Sequence, residues 1–324
     1  MARCVASGIM LFLAAALLPS GTSAQGYPQP RPITLVVPFA AGGGTDSIAR
    51  ELAQYLQQKL GQPVVVENRG GGGSSIGAGQ VAKARPDGHT LLFVTSTFVT
   101  SAATARSLPY DVLKDFTPIA LLGRGPLLLV VNRDLGVSSV QQLIATAKQR
   151  PDALNFVSAG PGSINHLAGE LFLQRTGVKM THIPYKGSGP ATLDLIGGQA
   201  QVFFATVPTI LGQVRAGRVQ LLATTGTVRS KLFPDTPTVG EAGVAQFEVS
   251  TWWGITGPAG VPENIVTTLN KLVNEATAGT ALVKRFADEG AETFRGTPAD
   301  FSRALKQELD NWRKVVRDAN LKLD

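Results

Sequence analysis

The segment from Ile33 to Leu56 constrains the fold more than any other part of this chain. An apolar, β-branched run ends at Pro38, three consecutive glycines follow, and apolar residues then recur at three- and four-residue spacing from Thr45 onward. This pattern predicts a strand, a flexible turn and the start of a helix, in that order. A helix start carries unpaired backbone N–H groups and partial positive charge, so the junction favours an anion.

The first 24 residues have the pattern of a secretory leader. Arg3 precedes an apolar run from Val5 to Leu18, and small residues end the segment at Ala24. This run is shorter than the roughly 20 residues that span a bilayer, so we expect cleavage after Ala24 rather than membrane anchoring. The sequence therefore predicts an exported, periplasmic protein.

Composition excludes several classes of function. The only cysteine, Cys4, lies in the predicted leader, so the exported chain is expected to have neither a disulfide nor a thiolate metal site. Three scattered histidines form no zinc-binding pattern, and we predict no metal and no cofactor. The net charge of +7 falls to +6 without Arg3. The basic residues are neither clustered nor interleaved with aromatic ones, so no nucleic-acid partner is predicted.

Short apolar runs alternate with amphipathic segments through most of the chain. Strands are predicted at 33–37, 63–66, 90–94, 127–132, 154–157, 179–183, 201–205, 219–224 and 249–255. Helices are predicted at 45–60, 75–84, 138–149, 163–176, 189–197, 208–216, 262–277, 280–289 and 298–318. Such alternation indicates an α/β protein with mostly parallel sheets flanked by helices, which bind ligands at the carboxyl ends of strands.

Two domains are expected, because about 300 residues exceed what one core usually holds. No Ser/Pro-rich or charged linker separates them, so crossing strands are expected to join them. The candidates for these strands are 127–132 and 249–255. Lobe 1 would consist of 25–128 plus 250–324, and lobe 2 of 129–249.

Two motifs resemble catalytic or cofactor signatures without their context. Residues 73–77 match G-x-S-x-G, but a nucleophile elbow places its serine directly after a strand, and here four glycines intervene. A glycine turn leading into a helix capped by Ser74 or Ser75 explains the pattern better. Residues 77–82 match G-x-G-x-x-A, but alanines stand where a dinucleotide-binding site needs an acid.

Four loops rich in Gly, Ser, Thr or Pro each follow a predicted strand. They are PFAAGGGTD (38–46), TSTF (95–98), SAGPGSINHL (158–167) and PYKGSGPA (184–191). Ser163 or Asn165 is predicted to cap the helix that follows the third loop. Any one of these loops is compatible with an ordinary turn. Together they predict a cleft that binds a carboxylate through N–H groups and hydroxyls.

Blocks of sequence in a fixed order resemble the Bug family, the periplasmic receptors of tripartite tricarboxylate transporters. They read PF-AAGGGTD-IAR, VVVENRGGGGSSIGAG, ARPDGHTLL, LPYDVLKDFTPIA, SAGPGS-NHLAGELF, HIPYKGSGPATLDLIGGQ, LATT-RS-LFPDTPTVGEAG and WWGITGPAGVP. The resemblance covers the chain from Tyr27 to Asp324. It implies a two-lobed, type II periplasmic-binding-protein fold that closes on a small organic acid, held by backbone groups and waters of both lobes.

The resemblance also assigns ligand-binding residues. In lobe 1 they are Phe39, Ala40, Gly42, Gly43, Thr45, Asp46, Thr95 and Ser96. In lobe 2 they are Ser158, Gly160, Ser163, His166, Tyr185, Lys186 and Gly187. The chain departs from the family pattern in reading AAGGG where many members have PPGG, and GGGG where GAGG is common. These extra small residues are expected to loosen both loops.

The leading hypothesis is a monomeric receptor without catalytic activity that presents its bound acid to a membrane permease. A sensor that docks on a membrane signalling partner is a second hypothesis, and a serine hydrolase that uses Ser75 and a histidine is a third. The sequence does not select the acid: dicarboxylate, citrate-like, amino-acid, aromatic-acid and nicotinate-like ligands all suit recognition by backbone groups.

Overall fold

The computed structural model describes residues 26–279, 281–288 and 290–318, so the predicted leader and Cys4 lie outside the described residues. The strands are β1 (Ile33–Val37), β2 (Val64–Asn68), β3 (Thr90–Thr95), β4 (Phe116–Asn132), β5 (Asn155–Ser158), β6 (Thr181–Pro184), β7 (Val202–Thr206), β8 (Val219–Thr224), β9 (Ser250–Pro258) and β10 (Glu292–Thr293). The helices are α1 (Gly44–Leu60), α2 (Ser75–Ala82), α3 (Thr97–Thr104), α4 (Val140–Gln149), α5 (Ile164–Thr176), α6 (Ser188–Ile196), α7 (Val207–Arg215), α8 (Glu263–Gly279), α9 (Ala281–Asp288) and α10 (Pro298–Asp318).

Strand β4 is long enough to belong to two sheets. Its first part pairs with β9 and β10 in a sheet ordered β2-β1-β3-β9-β4, and its second part pairs with β7 and β8 in a sheet ordered β6-β5-β7-β4-β8. The outer strands β1, β2 and β3, and likewise β5, β6 and β7, pair in parallel. The pairs made by β4 and β9 are antiparallel. The chain therefore forms two α/β lobes joined through one continuous strand.

Both faces of each sheet are covered by helices, which explains why the strands are apolar at consecutive positions. In β1, Leu35 and Val37 lie in one hydrophobic core and Val36 lies in the core on the opposite face. In β4, Leu129 and Val130 divide in the same way between the two cores of the second lobe. Successive side chains of a strand point to opposite faces, so a sheet buried on both sides needs apolar residues throughout.

The sequence prediction missed two of these elements and shortened a third. Residues 95–98 were predicted to form a loop, and this prediction is wrong because α3 begins at Thr97. The crossing strand predicted at 127–132 begins at Phe116, and β10 was not predicted. β4 changes partners between Pro126 and Leu127, two residues before the predicted lobe boundary at 128/129. The remaining predicted elements are present with ends shifted by up to three residues.

The second connection between the lobes passes through Val249 and Ser250. Thr225, which follows β8, bonds to both Val249 and Leu127 through its backbone and its hydroxyl. Ser250 then begins β9, which pairs with β3 and β4. Within the described residues, no helix is long and apolar enough to cross a membrane.

Candidate ligand-binding site between the lobes

A cavity of about 20 Å³ lies between the lobes, at the carboxyl ends of the parallel strands. Residues of both lobes line it: Phe39, Ala40, Gly43, Gly44, Thr45, Asp46, Thr95, Thr97, Ala159, Ile164, Asn165, Ser188, Thr206 and Thr251. This is the edge at which α/β sheets bind ligands, because the strand-to-helix turns converge there. This volume has room for little more than one water molecule, so the lobes leave almost no free space there in this arrangement.

Five helix N-termini meet at this cavity. Helices α1 and α3 reach it from the first lobe through Thr45 and Thr97, and α5, α6 and α7 reach it from the second lobe through Asn165, Ser188 and the N-cap Thr206. Each helix start carries about half a positive charge on its free N–H groups. Among the described residues of the wall, the helix starts therefore supply partial positive charge, Asp46 is an acid paired with Arg50, and no side chain is cationic.

The start of α1 leaves two of its N–H groups free. Its N-cap is Gly43, which has no side chain to accept a hydrogen bond. The N–H groups of Thr45 and Asp46 have no acceptor among the described residues. Ordinary helices use a Ser, Thr, Asp or Asn at this position to satisfy such donors. The open donors at α1 are thus available to an oxygen atom inside the cavity.

Asp46 holds the first loop in place and has little capacity left for a ligand. Its carboxylate accepts hydrogen bonds from the Gly42 N–H at 3.1 Å, from Asn68 at 2.9 Å and from Arg50 at 3.1 Å. Burial alone would raise the pKa of Asp46, but the hydrogen bonds from Arg50, Asn68 and Gly42 outweigh it and the pKa lies below its usual range. Asp46 is therefore a charged residue that positions the loop.

No lysine, arginine or histidine lines the cavity within the described part of the chain. The polar groups there are backbone N–H groups, hydroxyls, the Asn165 amide and the Asp46 carboxylate, which is already bonded to Arg50, Asn68 and Gly42. Asn165 does not cap α5, because its amide donates to the carbonyl of Phe204 at 2.7 Å, whereas Ser163 caps the helix through the N–H of His166. Such a site can bind and orient an anion, and it holds no nucleophile paired with a base.

Hydrogen bonds join the two lobes around the cavity. The Ala40 N–H donates to the carbonyl of Lys186 at 2.8 Å, and the Gly44 N–H donates to the Thr209 hydroxyl at 3.0 Å. On the opposite side, the Thr100 hydroxyl donates to the carbonyl of Gly162 at 2.7 Å. The structure therefore represents a closed arrangement of the lobes.

Glycines allow the two backbones to approach each other at this junction. A Cβ atom on Gly73 would lie 1.9 Å from the carbonyl oxygen of Pro161, and one on Gly70 would lie 2.6 Å from that of Lys186. The expectation that the glycine run 70–73 merely loosens its loop is therefore incomplete. Gly70 and Gly73 are required there by close packing against the other lobe.

The structure brings six of the predicted site residues to the cavity wall. They are Phe39, Ala40, Gly43, Thr45, Asp46 and Thr95. Gly42 stands beside the cavity at φ +85° and donates to Asp46. Ser96 lies behind the wall, where its hydroxyl pairs with that of Thr251 at 2.9 Å. These two shape the site without lining it.

The predicted residues of the third loop, Ser158, Gly160, Ser163 and His166, lie behind the wall. The Ser158 hydroxyl accepts from the Gly160 N–H at 3.1 Å, and His166 Nδ1 accepts from the Gly162 N–H at 3.1 Å. His182 bonds to Ser158 at 2.7 Å and stacks on His166 with ring centroids 3.7 Å apart. Burial, followed by the neighbouring His166, lowers the pKa of His182 to about 3. These side chains hold the loop that supplies Ala159 and Ile164.

The predicted residues of the fourth loop, Tyr185, Lys186 and Gly187, also lie outside the wall. The Tyr185 hydroxyl donates to Asp194, and burial together with this carboxylate raises the pKa of Tyr185 to about 12. Lys186 is exposed and contributes its carbonyl to the bond with Ala40. Gly187 is the N-cap of α6, so its neighbour Ser188 reaches the cavity.

The sequence prediction missed eight residues of the wall. They are Gly44, Thr97, Ala159, Ile164, Asn165, Ser188, Thr206 and Thr251. Thr206 had a usable signal, since it ends the apolar run VFFAT and is followed by Pro208 near a helix start. The sequence carried no such signal for Thr251, because its place beside the cavity depends on how β9 crosses between the lobes.

Ser75 shows no catalytic arrangement. It is the first residue of α2, and within the described residues no hydrogen bond joins it to a histidine. His166 and His182 pair with each other in the second lobe, and His89 bonds to the carbonyl of Asp87 at 3.0 Å. The glycine turn leading into a helix is the arrangement present, although neither Ser74 nor Ser75 caps that helix through its side chain.

A two-lobed fold with a cavity between the lobes, at which helix starts converge, defines a solute-binding receptor of the periplasmic-binding-protein class. Residues 48–321 match the family described as "Tripartite tricarboxylate transporter family receptor". The chain belongs to this family, whose members are receptors and not enzymes.

Individual relatives agree with this assignment. Protein BugT of Bordetella pertussis is 41% identical over 317 residues, which is 97% of each chain. The structure of R. palustris Rpa4515 with adipate has a TM-score of 0.88 and 37% identity, over 91% of this chain and 99% of that one. MatC of Rhodopseudomonas palustris with bound malate has a TM-score of 0.84 and 34% identity, over 88% and 99%.

Proposed function

We propose that this protein captures a small organic acid through its carboxylate in the cavity between the lobes. The observation that carries the proposal is the convergence of five helix N-termini on a cavity without a cationic side chain in its described wall. Only an anion gains from all five partial charges at once. Adipate and malate, the acids bound by two similar proteins, are both small dicarboxylates.

A site whose described wall contains no arginine suits transport. A desolvated arginine–carboxylate pair is strong and slow to separate, whereas N–H groups and hydroxyls hold the same oxygens with less charge. The bound acid would then be released when the lobes part at a membrane partner. We propose that this partner is the permease of a tripartite tricarboxylate transporter, and that the receptor acts there as a monomer after export and removal of residues 1–24.

The two lobes of this receptor are proposed to be 25–128 plus 250–324, and 129–249. The change of strand partners at Pro126/Leu127 and the start of β9 at Ser250 support boundaries within two residues of these positions. Closure would then bend β4 and the segment around Val249, because these are the two described strand connections between the sheets.

A thermal-shift screen on refolded, ligand-stripped protein tests the proposal. Malate, adipate, citrate and nicotinate are compared with their amides. A ligand at about 100 times its Kd adds about 2.7 kcal/mol to the free energy of unfolding, which moves the Tm by several degrees. A shift with an acid and none with its amide supports a carboxylate receptor. A shift with amides alone would contradict it.

A pair of variants at Gly43 then tests the helix start itself. Gly43→Ser gives α1 its own cap, which occupies the N–H groups of Thr45 or Asp46. Gly43→Ala adds the same Cβ atom without an acceptor, and that atom has only ordinary contacts, the nearest at 3.5 Å. We expect Ser to weaken binding of the acid found in the screen about tenfold and Ala to leave it within twofold. Equal effects of the two variants would refute the role of α1.

A further inference from the structure

Helix α1 obtains from the other lobe the cap that its own sequence lacks. Its N-cap, Gly43, offers no acceptor, and its first N–H group, that of Gly44, donates to the Thr209 hydroxyl at 3.0 Å. Thr209 is the third residue of α7, in the second lobe. This bond exists only while the lobes are together, so the cap of α1 is made and broken by lobe movement.

The contact between α1 and α7 brings together two helix starts of the same partial charge. A Cβ atom on Gly44 would lie 2.6 Å from the Cβ of Pro208 and 2.7 Å from the N atom of Thr209, so this approach requires glycine at position 44. Two positive helix ends repel each other unless an acceptor or an anion lies between them. The Thr209 oxygen is the acceptor at that point.

A short chain of hydroxyls connects this contact to the cavity. Thr209 and Thr206 bond through their hydroxyls at 2.8 Å, and Thr206 lines the cavity. A carboxylate that accepts from the Thr206 hydroxyl leaves the Thr206 oxygen to accept from the Thr209 hydroxyl. The Thr209 oxygen then accepts from Gly44, and bonds aligned in this way strengthen one another.

We propose that Thr209 is the positioning residue that couples ligand occupancy to lobe closure. This inference rests on the proposed function for its ligand. Its effect on lobe position is independent of the ligand, because the bond between Gly44 and Thr209 can form with the cavity empty. Loss of the acceptor should raise the ratio of open to closed molecules about fivefold, which is the effect of losing one helix cap.

Two substitutions separate the hydroxyl from the shape of the side chain. Thr209→Val keeps the branched shape and removes the acceptor, whereas Thr209→Ser keeps the acceptor. Gly44→Ala is a positive control for opening, because its Cβ atom collides with Pro208 and Thr209 in the closed arrangement. Circular dichroism and the Tm of each variant establish that it is folded.

Lobe position is measured by the distance between two spin labels. The only cysteine of the chain is Cys4, so protein that begins at Gln25 carries no competing thiol. Labels are placed on the exposed positions Gln54→Cys in α1 and Leu193→Cys in α6. The distance distribution is recorded without ligand and then with malate or adipate as the probe.

We expect Thr209→Val to raise the ratio of open to closed molecules about fivefold without ligand, and to weaken binding of the probe by a similar factor. Thr209→Ser should match the unsubstituted protein in both respects. If Gly44→Ala opens the lobes and Thr209→Val does not, the coupling role is overturned. If neither acid binds but Thr209→Val still opens the lobes, the role of Thr209 in closure stands and the proposed choice of ligand fails.

Discussion

Glu308 in α10 is a half-buried carboxyl group beside the strand that connects the lobes. The indole N–H of Trp252, near the start of β9, donates to one of its oxygens, and that of Trp312 donates to the other at 3.3 Å. Burial raises the pKa of Glu308 to about 7, although both indole hydrogen bonds favour the charged form. The folded protein therefore disfavours the carboxylate at neutral pH.

The magnitude follows from linkage. The unfolded chain ionises Glu308 near pH 4.5, and the folded protein ionises it near pH 7. Its contribution to stability is therefore full below pH 4.5 and is lost as the pH rises through 7. The difference corresponds to about 3 kcal/mol, which screening of a half-buried group reduces to about 2 kcal/mol. Glu308→Gln removes the titration and at most one weak hydrogen bond, worth about 1 kcal/mol.

We expect the Tm of Glu308→Gln, relative to the unsubstituted protein, to rise by roughly 4 °C between pH 5 and pH 8. Thermal unfolding followed by circular dichroism at four pH values measures this difference. Asp310→Asn, an exposed carboxylate on the same helix that pairs with Lys306, is the matched control and should show a constant difference. A Tm difference for Glu308→Gln that does not change with pH would refute the reasoning.

Three further substitutions test other parts of the site. Asp46→Asn loses the ion pair with Arg50 and should cost about 2 kcal/mol at pH 7 but less at pH 3, where the carboxylate's contribution is lost on protonation; urea unfolding at both pH values measures this. The unsubstituted protein should lose stability as the pH falls from 6.5 toward 3, because folding holds the His182 imidazole neutral, and His182→Gln should remove that loss. A difference in the free energy of unfolding between the two proteins that stays constant between pH 7 and pH 4 would contradict this. Gly73→Ala places a Cβ atom 1.9 Å from the carbonyl of Pro161, so calorimetry should show binding of malate or adipate weakened more than tenfold, and unchanged affinity would show that closure does not need this contact.

Most of the fold could be predicted because its signals are local. Each strand is apolar along its length, and each helix begins after a loop with recognisable turn residues. The first half of β4 was not predicted, because Pro118, Gly123 and Pro126 are typical of turns. These residues are tolerated because the pairing with β9 shifts register between Pro118 and Ala120, and again between Leu121 and Gly123.

Helix α3 was not predicted for a different reason. Its sequence, TFVTSAAT, has neither charges nor an apolar stripe that contrasts with a polar face. It is largely buried, and its hydroxyls bond to backbone carbonyls, as the Thr104 hydroxyl does to Thr100 at 2.9 Å. A helix without a solvent face gives no periodic signal.

The candidate site could be predicted only as a set of loops. Thr45 and Thr95 were assigned by the family resemblance, and each lies in a loop that was predicted to follow a strand. Which loop residue reaches the cavity depends on contacts between the lobes, and these are distant in sequence. Ser158 and His166 therefore appeared as candidates for contact with the ligand, whereas in the structure they hold the loop from behind.

The order of strands in the first sheet has a consequence for synthesis and folding. β3 pairs with β9, with Leu92 opposite Thr256. The partner of the inner edge of β3 therefore lies more than 150 residues later in the chain. Until that segment emerges from the ribosome, β1, β2 and β3 present an open edge and cannot complete a core. The second lobe, by contrast, is one continuous stretch apart from its shared strand. In a nascent chain the second lobe would therefore fold before the first. The first lobe would stay unfolded until nearly the whole polypeptide had been made.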